Sequence, residues 1–113
     1  MITIYHNPRC SKSREGFSLL ENSGKDFEVI KYLDDPMSEA QLKEIIARLG
    51  IKPIDLVRKG EAIWKSDYKT KTLTDAAVIK AMVKHPKLIE RPIVISGKKA
   101  VIGRPPSIIL DII

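Results

Sequence analysis

A chain of 113 residues with 43% hydrophobic and 30% charged side chains has the composition of a globular domain, long enough to bury a core and too short for two independent ones. One cysteine excludes an internal disulfide and with it the secreted, disulfide-stapled class, and two histidines far apart, His6 and His85, give no metal-site spacing, so no metal is expected. The net charge of +6 suits an anionic small substrate or plain solubility, and three tyrosines, two phenylalanines and one tryptophan are a sparse supply for base stacking, so no nucleic-acid partner is expected.

No apolar stretch approaches the roughly 20 residues of a membrane span, and Met1 runs into Ile2-Thr3-Ile4-Tyr5 without a charged leader. A single domain over residues 1–113, monomeric, cytoplasmic and without a membrane partner, is the expectation.

Residues 2–5 alternate β-branched and aromatic types and end at Asn7-Pro8, which predicts a strand entering a turn. From Ser11 to Asn22 the pattern turns helical, with Phe17 and Leu20 on one side and Gly24 beyond the end. Phe27 and Val29 alternate again, and the run predicts a strand reaching Leu33 before Asp34-Asp35-Pro36. Ser38 and Gln41 form a capping box ahead of Leu42, Ile45, Ile46 and Leu49, with Gly50 as the stop. Pro53 starts a short helix expected to reach Arg58, residues 61–73 are ambiguous, and Thr74-Asp75 cap a helix carrying Ile79, Met82 and Val83 that Pro86 ends. Ile93-Val94-Ile95 and Ala100-Val101-Ile102 flank a turn and predict a hairpin, after which Pro105 or Pro106 starts a last helix. The order β-α-β, helices, β-β-α predicts a mixed four-stranded sheet with flanking helices and a helical insertion, an α/β fold of the thioredoxin-like type.

Cys10 falls at the junction of the first strand and the first helix. It is either buried filler or a working thiol, and the polar, turn-like context Asn-Pro-Arg-Cys-Ser-Lys-Ser favours the second. A helix N-terminus lowers a thiol pKa and its free amides can cradle an oxyanion, and Arg9, Lys12, Arg14 and His6 add nearby charge. His6 at a strand end suits a structural hydrogen bond as well as tuning of the thiol. Cys10 to Ser13 is a C-x-x-S spacing without a second thiol, and Gly16 stands where a phosphatase-type loop has arginine. An adduct on Cys10 therefore needs an external thiol for release.

Tyr5-His6-Asn7-Pro8-Arg9-Cys10-Ser11-Lys12-Ser13-Arg14 resembles the active-site segment of the arsenate reductase (ArsC) family. Leu56-Val57-Arg58-Lys59, the run His85-Pro86-Lys87-Leu88-Ile89-Glu90-Arg91-Pro92-Ile93-Val94 and Ile102-Gly103-Arg104-Pro105-Pro106 extend the likeness over nearly the whole chain. The resemblance implies that Cys10 attacks arsenate or a related oxyanion, that Arg58, Arg91 and Arg104 bind it, and that Pro92 follows a cis bond beside the thiol. His6, Asn7 and Ser13 are the supporting candidates of the same loop. Without the resemblance each arginine reads as an exposed solubilising residue.

The implied reaction is reduction of arsenate to arsenite with no bound cofactor, glutathione being the external thiol co-substrate and glutaredoxin the partner. One departure stands out: Ser11-Lys12 replaces the Gly-Thr of the well-studied reductases and changes the loop's flexibility and charge. Another thiol-dependent reductase or glutathione transferase of the same fold is the alternative. A non-enzymatic regulator similar to the Spx type, which binds RNA polymerase, is a further one, weakened by the missing C-x-x-C switch.

Overall fold

In a computed structural model describing residues 1–113, the chain divides into two compact units. One comprises Met1–Asp35 with Arg91–Ile113 and the other Pro36–Glu90.

The first unit is built on four short strands, β1 (Ile2–Tyr5), β2 (Phe27–Ile30), β3 (Ile93–Ser96) and β4 (Lys99–Ile102). Their order is β2-β1-β3-β4. The pair β1/β2 is parallel, with Ile4 opposite Val29, as a helical crossover between them requires. The pairs β1/β3 and β3/β4 are antiparallel, with Ile4 opposite Val94 and Val94 opposite Val101. Ile2 and Ile4 point to one face and are buried there with Val94, with Leu20 of α1 (Ser11–Asn22) and with Ile109 of the C-terminal 3-10 helix Pro106–Asp111. Each such side chain contributes about 1.5–3 kcal/mol on burial. Ile93 and Ile95, on the opposite face, are buried as well, so β3 reads as a continuous apolar run.

Two glycines fix how α1 meets the β3–β4 side of this unit. A Cβ on Gly16, in the middle of α1, would lie 2.9 Å from both Pro92 Cγ and Ile109 Cδ1, and one on Gly103 would lie 2.8 Å and 3.0 Å from the same two atoms. The Pro92 ring and Ile109 thus fill the space that two missing side chains leave.

The second unit is helical: α2 (Glu39–Leu49), α3 (Ala62–Asp67) and α4 (Asp75–Lys84), with single 3-10 turns at Pro53–Leu56 and Pro86–Leu88. The Ser38/Gln41 capping box closes in both directions, and Gly50 ends α2 with φ +68, a conformation that needs glycine. Thr74 caps α4 by accepting from the Ala77 amide. Leu42, Ile45 and Ile46 of α2 and Val78, Ile79 and Met82 of α4 are buried, as the 3.6-residue period demands.

Two expectations are corrected. The second strand ends at Ile30, not Leu33, because the amides of Asp34 and Asp35 turn back onto the Lys31 carbonyl. The segment from Pro53 is helical only to Leu56, since Val57 pairs with Ile89 in an isolated bridge and the Arg58 amide donates to the Leu88 carbonyl. The helix carrying Ile79, Met82 and Val83 is α4, whose buried residues are Val78, Ile79, Ala81 and Met82 while Val83 is half-buried. The ambiguous stretch 61–73 contains α3, anchored by buried Trp64, which stacks on Tyr68 at 5.5 Å.

The parallel first pair, the antiparallel last pair and the helical segment between β2 and β3 make this an α/β, thioredoxin-like fold with a helical insertion. No helix is long and apolar enough to cross a membrane.

Candidate active site

The loop between β1 and α1 is shaped by its own backbone. The His6 amide still donates to Ile30 in the sheet, after which Asn7 folds the chain: its Oδ1 accepts from the Arg9 amide at 3.0 Å and its carbonyl from the Cys10 amide at 3.0 Å. Cys10 then occupies the N-cap of α1 in extended conformation, its carbonyl accepting from Arg14. Its side chain is thereby held beside the first-turn amides.

Burial pushes the Cys10 thiol up, yet the balance lies below the ordinary thiol value. The Ser13 amide, the Arg91 guanidinium and the Lys12 amide favour the thiolate, and the positive charge of Arg91 adds to them. The two amides act on the sulfur as aligned dipoles and close no regular capping bond. Arg104 Nη2 lies 3.6 Å from the sulfur, and Arg104 Nε donates to the Arg91 carbonyl at 2.9 Å. The two arginines are therefore joined to each other and meet at the thiol. Arg91 is 7% exposed, and its permanent charge, held at close range, favours the anionic form of the thiol beside it.

Beneath the thiol lies a buried polar clamp. Ser13 Oγ accepts from the Asn7 amide at 2.9 Å and stands 2.6 Å from His6 Nδ1. Burial pushes the His6 pKa down and the charges of Lys31 and Arg14 push the same way, outweighing the hydrogen bond with Ser13. A neutral His6 that accepts the Ser13 hydroxyl proton at Nδ1, carrying its own proton on Nε2, is the assignment that fits this pattern. His6 therefore brings order to the loop and not the positive charge its position suggested. Its ring stacks on Phe17 of α1 at 5.2 Å, locking clamp to helix.

Of the residues singled out by sequence, the first unit brings together Cys10, Arg91, Arg104, His6, Asn7, Ser13 and Pro92. The Arg91–Pro92 bond is cis, and so is Arg104–Pro105. Arg58 belongs to the second unit, where its Nε is 3.7 Å from Glu90 Oε1 and its backbone lies in the bridge between the 57 and 89 segments. Sequence reasoning missed the packing roles of Gly16 and Gly103. A glycine at mid-helix, which costs about 1 kcal/mol relative to alanine, was the available signal. No three His, Cys, Asp or Glu side chains are grouped so as to hold a metal ion.

The ArsC family profile matches residues 5–112. The chain is 44% identical to an arsenate reductase of Haemophilus influenzae over 99% of its own length and 98% of the relative's. It is 45% identical to the uncharacterized protein YfgD of Escherichia coli K12, over 99% and 96% of the two chains. Among solved structures, an arsenate reductase from Vibrio cholerae superposes with a TM-score of 0.94 at 45% identity, covering 99% of this chain and 97% of that one. Whole-chain likeness at this level, together with the cysteine loop and its arginines, makes the assignment plain: the chain belongs to the ArsC family.

Proposed function

We propose that the protein is a monomeric, cytoplasmic arsenate reductase that uses Cys10 as nucleophile and draws its electrons from glutathione and glutaredoxin. The observation that carries this reading is the meeting of Arg91, Arg104 and two helix amides at one thiol of lowered pKa. In the first step the Cys10 thiolate bonds to arsenic and an arsenate oxygen leaves as water after protonation. Attack by external thiols on the adduct transfers two electrons to arsenic. The balance is arsenic acid plus two glutathione molecules giving arsenous acid, one glutathione disulfide and water. Because the chain holds one cysteine, the oxidised sulfur has no internal partner, and that supports an external thiol donor. Arg91, Arg104 and, in this proposal, Arg58 carry the oxyanion, since forked guanidinium donors match two oxygens at once. His6, Asn7 and Ser13 hold the loop, and Pro92 shapes the wall beside it.

The test is an assay with protein, glutathione, glutaredoxin, glutathione reductase and NADPH, following NADPH absorbance and arsenite formation before and after arsenate is added. Arsenite should appear in step with NADPH loss, require glutathione and vanish in Cys10→Ser, whose thermal midpoint stays near that of the wild type. Consumption with a small mixed disulfide and none with arsenate would replace this reading by a general thiol-disulfide reductase.

A further inference from the structure

An open groove of about 730 Å³ runs along the outer face of α1 and the start of the C-terminal 3-10 helix, lined among others by Lys12, Arg14, Glu15, Ser18, Pro105 and Ser107. Each wall adjoins a residue of the thiol site along the chain, Ser11 following Cys10 and Pro105 following Arg104. Lys12 carries one of the amides that act on Cys10, and Pro105 follows the arginine whose Nη2 stands 3.6 Å from it. The volume lies within the roughly 300–1,000 Å³ of small-ligand sites. From Lys12 to Ser18 the helix rises about 9 Å, close to the ~10 Å span of an extended tripeptide.

The charges on the lining are two cations and one carboxylate, and the Lys12–Glu15 pair, 3.4 Å apart and about half exposed, is weakly held. A γ-glutamyl tripeptide thiol of the glutathione class carries the complement, two carboxylates and one ammonium. Ser18 and Ser107 hydroxyls are at hand for its amides, and Pro105 and Leu19 for its methylenes. A neutral thiol such as 2-mercaptoethanol has nothing for these groups to recognise.

We propose that this groove is the docking site of the tripeptide thiol that discharges Cys10, with Lys12 and Arg14 receiving its carboxylates and Glu15 its ammonium. The inference rests on the thiol-dependent reading above, and its test is separable from it. S-methylglutathione, which cannot react, is titrated into ¹⁵N-labelled protein. Amide shifts should change at Ser11, Lys12, Ser18 and Ser107, and the dimethyl ester of the same compound, lacking both free carboxylates, should leave them unmoved.

Ser18→Glu places a negative charge in the groove at an exposed site and should weaken S-methylglutathione binding about tenfold or more. In turnover it should raise the KM for glutathione by a similar factor. Absence of turnover with every thiol would defeat the arsenate reading while the titration still decides the groove. Turnover with unchanged amides, shifts confined to residues away from the groove, or a Ser18→Glu protein with wild-type affinity and KM would overturn the docking site. So would a groove perturbed by reduced glutaredoxin alone.

Discussion

Replacing Gly16 by alanine sets two well-known effects against each other. Alanine in mid-helix is favoured over glycine by about 0.8–1.0 kcal/mol, and on that ground alone the variant gains stability. In the structure the new Cβ would stand 2.9 Å from Pro92 Cγ and 2.9 Å from Ile109 Cδ1, where ordinary carbon contacts are about 3.5–4.0 Å. Both neighbours are held, Pro92 by its ring and Ile109 by complete burial, and overpacking of this kind costs about 1–3 kcal/mol. The net expectation for Gly16→Ala is a loss of about 1 kcal/mol, or about 4 °C in the thermal midpoint for a chain of this size. Urea and thermal unfolding read it directly. Ile109→Val removes one of the two opposing carbons, so the double variant should lose less than the sum of the single losses by at least about 0.5 kcal/mol. Because Arg91 precedes Pro92, displacement of the ring should also raise the pH at which Cys10 becomes reactive. A Gly16→Ala protein about 1 kcal/mol more stable than the wild type would refute the packing argument.

Arg91→Lys and Arg104→Lys each keep a positive charge but lose the fork, and each should lower arsenate turnover by about tenfold or more; wild-type rates in both would make these arginines bystanders. His6 is held neutral in the fold, so its folded pKa lies below the unfolded value of about 6.5. The stability it contributes is complete above that pH and is lost as pH falls through the lower, folded value. Urea unfolding between pH 7.5 and 5 should show this loss and His6→Gln should blunt it. Both are compared in a Cys10→Ser background, because a depressed thiol pKa gives a loss of the same sign at higher pH. Equal acid sensitivity in the two proteins would contradict a neutral, buried His6.

Local chemistry was legible in the sequence wherever one short segment decides the outcome. Ser38 and Gln41 announce the start of α2 because a capping box needs only four residues, and Thr74 does the same for α4. The strand overrun to Leu33 arose because Tyr32 and its neighbours carry strand-like residue types. A turn onto the Lys31 carbonyl takes over, while Tyr32 is still completely buried. Val57 and Ile89 pair across a separation that no local pattern records, and that pairing stops the helix from Pro53 at Leu56, short of Arg58.

The site divides in the same way. The placement of Cys10 at a helix N-terminus follows from the Asn-Pro turn and the helical period after it. The meeting of Arg91 and Arg104 at its sulfur is tertiary, and only the family resemblance singled those residues out. For His6 the sequence leaves a structural hydrogen bond and tuning of the thiol both open, and its bond with Ser13 and its burial depend on how α1 folds back on β1. Gly16, noted only for breaking a phosphatase-type pattern, turns out to be the position that admits the Pro92 ring.

The account stands on two helix amides and Arg91 making the Cys10 thiol more acidic than an ordinary cysteine. Its most direct test is the rate of iodoacetamide alkylation as a function of pH, in the wild type and in Arg91→Gln. The wild-type midpoint should lie below the free-cysteine value of about 8.5, and loss of the guanidinium should move it upward. A wild-type midpoint at or above 8.5, or one that Arg91→Gln leaves in place, would contradict it.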